Sequence, residues 1–163
     1  MDSQIREEVS FTKGRIIING NIHSRGRKKR ADYVLYYKPN IPIAVIEAKD
    51  NNHSMESGIQ QALDYSVSLS VPFVFSSNGD GFLFHDKTSL ENNLEKNLDL
   101  NSFPSPDELW KKYCEWKLFQ NKSDTDLIET SYHTDGSGKT PRYYQVNAIN
   151  KTIEAIAAKQ KRN

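Results

Sequence analysis

Ala31-Asp32-Tyr33-Val34-Leu35-Tyr36-Tyr37 (31–37) and Ile41-Pro42-Ile43-Ala44-Val45-Ile46-Glu47-Ala48-Lys49 (41–49) are two runs of β-forming residues separated by Lys38-Pro39-Asn40. Proline and asparagine at the break make a turn, so the two runs pair as antiparallel strands. The second run is apolar enough for a strand buried on both faces. Side chains alternate with period two, which puts Asp32, Val34 and Tyr36 on one face and Ile43, Val45, Glu47 and Lys49 on one face of the neighbour. Pairing across the turn brings the start of the first strand beside the end of the second, and with it Asp32 beside Glu47 and Lys49.

Outward from this pair the chain alternates in type. Val9–Phe11 and Arg15–Ile18 flank Thr12-Lys13-Gly14 and read as a hairpin, with a turn at Asn19-Gly20-Asn21. Met55–Leu69 has helical spacing, with Ile59, Leu63 and Val67 on one stripe. Val71–Ser76 and Phe82–Phe84 are strands around Asn78-Gly79-Asp80-Gly81. Asp86–Pro106 is polar with few apolar anchors, Asp107–Phe119 is a helix that Ser105 can cap, Asn121–Gly138 is a linker and Tyr143–Lys161 is a further helix. The class is α/β, built around a mixed sheet.

Composition narrows the rest. The 163 residues suit one domain with a short extension. No apolar run approaches the roughly 20 residues of a membrane helix, and Met1–Phe11 has no secretory pattern. A lone Cys114 excludes an internal disulfide, so the cytoplasm is the expected compartment. His23, His53, His85 and His133 are too scattered for a zinc site. The net charge of +1 conceals zones: residues 1–37 hold eight Lys/Arg against four Asp/Glu, residues 86–129 six against ten, and residues 139–163 six against one. The densest run, Arg25, Arg27, Lys28, Lys29 and Arg30, reads as a loop that is either solvated or in contact with phosphates.

Asp32, Glu47 and Lys49 form the set with chemistry. A carboxylate and an ammonium at the end of a buried strand need each other or a metal. Two carboxylates, joined by the backbone carbonyl of Ala48, offer hard oxygen ligands to Mg²⁺, which polarises a phosphate and acidifies a bound water. Lys49 reaches the same side to orient water or stabilise developing charge. The competing reading is an ion pair that closes the sheet edge. Gln61 and Tyr65, four apart on one helix face, can meet a ligand beside the carboxylates. The stripe of Trp110, Tyr113, Trp116 and Phe119 reads as packing, and Cys114 within it as a small buried residue.

D-x14-E-x-K on a hairpin, followed by Q-x-x-x-Y on a helix, resembles the PD-(D/E)XK nuclease superfamily and the Q-x-x-x-Y box of its RecB-like members. The stretches REEVSFTKGRI, GRKKRADYVLYY, IPIAVIEAKD, GIQQALDYS, FVFSSNGDGFLFHD and PRYYQVNAI resemble the N-terminal nuclease domain of type I restriction enzyme R (motor) subunits. The resemblance implies a restriction-endonuclease-like mixed sheet flanked by helices. It implies that Asp32 and Glu47 bind Mg²⁺, that Lys49 is catalytic, and that Gln61 and Tyr65 support the site or the DNA. It implies duplex DNA as substrate, methylation (M) and specificity (S) subunits as partners, and an ATP-driven motor beyond this segment. Ala31 stands where the superfamily name has proline, and the helix that usually precedes the first hairpin is absent. On its own the fragment is expected to cut weakly or not at all. Other readings are a nuclease–helicase fusion of another system, or a silent nuclease-like scaffold.

Pro141–Ile149 resembles the Q-motif region that opens superfamily 2 motors, where a glutamine contacts the adenine of ATP; the match falls on Gln145. The expected division is therefore a nuclease domain over 1–119, a linker over 120–141 and the first motor helix over 142–163. Gly136-Ser137-Gly138-Lys139-Thr140 imitates the end of a Walker A loop, but His133 stands where its first glycine belongs and no apolar strand precedes it. It reads as linker.

Overall fold

The computed structural model describes residues 4–12, 16–19, 22–25, 28–119, 121–132 and 136–159. Its strands are β1 (Ile5–Thr12), β2 (Ile16–Asn19), β3 (Ile22–Arg25), β4 (Lys28–Lys38), β5 (Ile41–Ala48), β6 (Phe73–Ser77), β7 (Gly81–Asp86) and β8 (Glu95–Asp99). Its helices are α1 (Ile59–Leu69), α2 (Pro106–Lys117), α3 (Lys122–Glu129) and α4 (Tyr143–Lys159). Six strands form one mixed sheet in the order β1-β4-β5-β6-β7-β8. β5 and β6 are the parallel pair, and α1 supplies the crossover that such a pair requires.

The sheet separates two apolar layers. On one face Val34, Val45, Val74 and Leu83 pack with Ile59, Ala62, Tyr65 and Leu69 of α1. On the other, Ala44, Phe73, Phe75 and Phe84 pack with Leu109, Trp110 and Tyr113 of α2. Phe75 stacks on Phe84 at 4.5 Å and Tyr37 on Trp110 at 4.5 Å. Ser105 caps α2 by accepting from the Glu108 backbone N–H, while the Glu108 carboxylate accepts from the Ser105 N–H, the reciprocal pairing its sequence position allows.

Several expectations change. β1 pairs with β4, and β2 with β3, instead of the hairpin across Thr12-Lys13-Gly14. Edge pairing with β4 buries Phe11 against α1, which a hairpin with β2 would not do. The run Lys28–Arg30 is strand, not loop, because Ser10–Thr12 pair with it. The polar stretch after Asp86 yields the edge strand β8, whose pairing with β7 needs no apolar face. The linker over Asn121–Gly138 contains α3, anchored by buried Ile128 and an Asn121–Asp124 capping box. Helix α1 begins at Ile59, after a 3-10 turn over Met55–Gly58. Its buried stripe is Ile59, Ala62, Tyr65, Ser66 and Leu69, and Val67 is 73% exposed.

α4 docks on the sheet unit. Tyr143 donates through its hydroxyl to the Thr12 carbonyl. Asn147 bonds the Ser68 carbonyl at 3.0 Å and Asn150 the Asn40 carbonyl at 2.9 Å. Glu154 accepts from the Tyr113 hydroxyl and from Lys117. No helix among the described residues is long and apolar enough to cross a membrane.

The aromatic stripe of α2 splits in burial, with Trp110 at 7% and Trp116 at 45% exposure. Trp110→Ala is expected to lower unfolding free energy by about 3–5 kcal/mol. Trp116→Ala, which loses a cation–π contact with Lys117 and an edge-on contact with the Tyr113 ring, should lower it by about 1 kcal/mol. Urea denaturation of both variants checks the contrast.

Candidate active site

The β4–β5 ladder runs from Lys38↔Ile41 to Tyr33↔Ile46 and stops there. Beyond it the side chain of Asp32 takes over: Oδ2 accepts from the Ala48 backbone N–H at 2.9 Å. Ala31 and Val34, three apart, both belong to the apolar cluster that contains the buried residues of α1. Asp32 thus sits where the two strands part, beside the end of β5. Period-two counting alone would have placed Ala31 on the opposite face from Val34.

Glu47 points into the α1 side and is 2% exposed. Its Oε1 accepts from Lys49 Nζ at 2.9 Å and from Gln61 Nε2. Lys49 Nζ also reaches Gln61 Oε1 at 3.3 Å, and the second N–H of Gln61 bonds the Tyr65 hydroxyl at 2.8 Å. The residues expected at the site, Asp32, Glu47, Lys49, Gln61 and Tyr65, are therefore brought together. Burial pushes the Glu47 carboxyl above the ordinary carboxylate range; the Lys49 hydrogen bond pulls down, the charge on Asp32 pushes up, and the Lys49 charge pulls down.

The other carboxylate oxygen, Glu47 Oε2, is buried without a hydrogen-bond partner among the described residues. A buried carboxylate oxygen left this way is costly, and an oxygen-seeking cation would satisfy it. Asp32 and the Ala48 carbonyl at the strand end complete a hard-oxygen donor set suited to Mg²⁺. Among the described residues no group of three or more His, Cys, Asp or Glu converges. A metal here would therefore keep several of its ligands as water and substrate oxygens, as Mg²⁺ does.

Two residues escaped the sequence reading. Ser76 pairs with Glu47 across the parallel ladder, is fully buried, and its hydroxyl has no hydrogen-bond partner among the described residues. Gly58, at the turn before α1, lies directly over it: a Cβ there would stand 2.4 Å from Ser76 Oγ and 3.2 Å from Glu47 Cγ. Only a residue without a side chain lets α1 approach the carboxylate this closely. No spacing rule would have found either, because both contacts are made between elements distant in sequence.

The basic run is dispersed. Lys29 pairs with Asp64 at 3.1 Å and lies over the Tyr65 ring, and Arg30 pairs with Glu8 at 3.0 Å. Arg25 closes β3, Lys28 opens β4 and Arg27 lies outside the described residues. Gln145 turns back on its own helix, with Oε1 accepting from the Arg142 backbone N–H at 2.9 Å. Gly136 and Gly138 have positive φ, and among the described residues nothing lies within 4 Å of a Cβ built on either; His133 lies outside the described residues. Burial, with Glu129 and Glu115 nearby, pushes the Cys114 thiol up to about 11, the opposite of a nucleophile.

Because the folded pKa of Glu47 is raised, the native state holds that proton more tightly than the unfolded chain. Stability from this group is full below the unfolded value of about 4.3 and is lost as pH rises through the folded value. In metal-free buffer, Glu47→Gln should match the wild-type Tm near pH 4 and exceed it increasingly toward neutrality. A constant gap across a Tm–pH series would contradict the burial argument. Gly58→Ala is expected to cost about 1–3 kcal/mol by overpacking. Adding Ser76→Ala should recover most of that loss in urea denaturation, since it removes the atom the new methyl strikes.

A family profile described as "Type I restriction enzyme R protein N terminus (HSDR_N)" matches residues 4–93. The chain is 52% identical over 161 residues to the type I restriction enzyme EcoAI endonuclease subunit of Escherichia coli, covering 98% of this chain and 20% of that protein. It resembles the solved fragment structure titled as an HsdR subunit of a type I restriction enzyme from Vibrio vulnificus YJ016, with a TM-score of 0.77 and 39% identity over 96% of this chain and 28% of that one. The chain thus spans about a fifth of the length of the curated relative it matches. With the profile covering more than half of its residues and a mixed six-stranded sheet shared with the solved fragment, the chain belongs to the family of type I restriction enzyme R protein N termini.

Proposed function

We propose that this region is the Mg²⁺-dependent nuclease domain of a type I restriction enzyme R subunit and cuts duplex DNA by phosphodiester hydrolysis. The observation that carries the reading is the buried, unbonded Oε2 of Glu47 beside Asp32, with Lys49 held on the opposite oxygen. Asp32 closes the strand end by accepting from the Ala48 N–H, but neither a strand-closing ion pair nor a docking scaffold needs its charge beside a buried glutamate, which opposes Glu47 ionisation.

Asp32, Glu47 and the Ala48 carbonyl would hold Mg²⁺, which when bound neutralises phosphate charge and acidifies a water. Lys49 is steered by two acceptors, Glu47 Oε1 and Gln61 Oε1. Its ammonium is thereby aimed at the same place, to orient the attacking water and stabilise the charge that builds on the phosphate. Gln61, fixed in turn by the Tyr65 hydroxyl, positions both Glu47 and Lys49. Lys28, with Lys29 and Arg30 once released from their ion pairs, would meet the backbone without reading bases.

In the longer protein, an ATP-driven motor would translocate DNA to this site. The division into a nuclease domain over 1–119, a linker over 120–141 and a motor helix over 142–163 belongs to this reading. So do Gln145 as an adenine contact, the M and S subunits as the source of sequence specificity, and the cytoplasm as the compartment. Since α3 falls in the linker stretch and α4 packs on α1 and α3, the first motor helix would be anchored to the nuclease sheet.

The test follows plasmid cleavage and ATP hydrolysis together in the full-length subunit assembled with its partners. Glu47→Ala should reduce cleavage at least about a hundredfold with ATPase unchanged. Cleavage at wild-type rates in the variant would make this domain a scaffold.

A further inference from the structure

Arg6 on β1, Lys28 at the start of β4 and Arg142 just before α4 line one cleft of about 360 Å³. Among the described residues no carboxylate lines it, and its remaining walls include Phe11, Tyr36 and Tyr144. Among the described residues none of the three cations is in an ion pair. The neighbouring cations of β4 are by contrast paired, Lys29 with Asp64 and Arg30 with Glu8. Arg6 lies over the Tyr36 ring at 4.1 Å and gives one N–H to the Pro39 carbonyl at 2.8 Å. Together with a hydrogen bond to the Tyr36 side chain, that fixes its plane and leaves its remaining donors for a ligand. Three cations around one concave surface, with no counter-charge, raise the local concentration of anions. Two of them are guanidinium forks, whose donor geometry matches phosphate oxygens.

The cleft adjoins the candidate active site. Phe11 in its wall stands edge-on to Tyr65 at 5.1 Å, and the Tyr65 hydroxyl accepts from Gln61. Lys28 precedes Asp32 on β4 by four residues, about 13 Å of strand at roughly 3.3 Å per residue. That is the span of about four base-pair steps of duplex at roughly 3.4 Å each.

We propose that this cleft binds phosphodiester groups of the duplex to one side of the cut. This deepens the nuclease reading and rests on it. It places the main electrostatic contact at Arg6, Lys28 and Arg142, and not at the paired Lys29 and Arg30.

Fluorescence anisotropy of the chain with a labelled duplex of about 30 base pairs, in EDTA and over a series of salt concentrations, tests this. Each phosphate contact contributes a slope of roughly −0.9 in log K against log salt. The variant Arg6→Gln/Lys28→Gln/Arg142→Gln, at unchanged Tm, should bind at least about tenfold more weakly and flatten the slope by about 2 to 3. Lys29→Gln/Arg30→Gln should change it by less. Competition with unlabelled ATP and with pyrophosphate separates a backbone phosphate from a free nucleotide. Displacement of the duplex at low millimolar ATP, lost in the triple variant, would reassign the cleft to a nucleotide. A wild-type slope in the triple variant would overturn the cleft and leave the nuclease reading standing. Absence of duplex binding by the wild-type chain would overturn both.

Discussion

A carboxylate held out of water at the end of the central parallel strand pair is the constraint on which the site is built. Glu47 ends the buried run of β5, next to fully buried Ser76 on β6, and has only one of its two oxygens satisfied. Burial and the neighbouring Asp32 both oppose its ionisation. The surrounding residues answer that cost on one side only, with the Lys49 ammonium and the Gln61 amide. A fold selected for stability alone would place an apolar residue at such a position. The half-satisfied carboxylate is the observation on which the proposed nuclease chemistry rests.

Backbone geometry around the carboxylate serves the same end. The β4–β5 ladder stops at Tyr33↔Ile46, and Asp32 then uses its side chain to hold the Ala48 N–H. The interaction that substitutes for a ladder hydrogen bond thereby fixes the second carboxylate. On the other side, Gly58 allows α1 to come within contact of Ser76 and Glu47, so that Gln61, one turn further on, reaches both Glu47 and Lys49. The helix is therefore a wall of the site as well as a crossover.

The far end of the chain is drawn into the same structure. α4 is pinned through Tyr143, Asn147, Asn150 and Glu154 to four different parts of the nuclease-like unit. Tyr143 also packs edge-on against Phe11, which in turn meets Tyr65. Aromatic contacts thus connect the Q-x-x-x-Y helix to the start of the segment that resembles a motor. Whatever follows α4 in a longer protein would inherit an orientation set by these contacts.

Local pattern in the sequence was enough to determine the β4–β5 hairpin, the crossover helix, the capped α2, and Asp32 beside Glu47 and Lys49 across a two-residue turn. Gln61 and Tyr65 share a helix face by their spacing, and the packing of α1 on β5 brings them to the carboxylate. Tertiary structure alone decided that β1 joins β4 and that Lys29 and Arg30 are paired with acids. It alone placed Gly58 and Ser76 against Glu47, and Arg6, Lys28 and Arg142 around one cleft. Such contacts join residues tens of positions apart. Their partners are selected by which apolar surface most needs covering, and no local spacing records that choice.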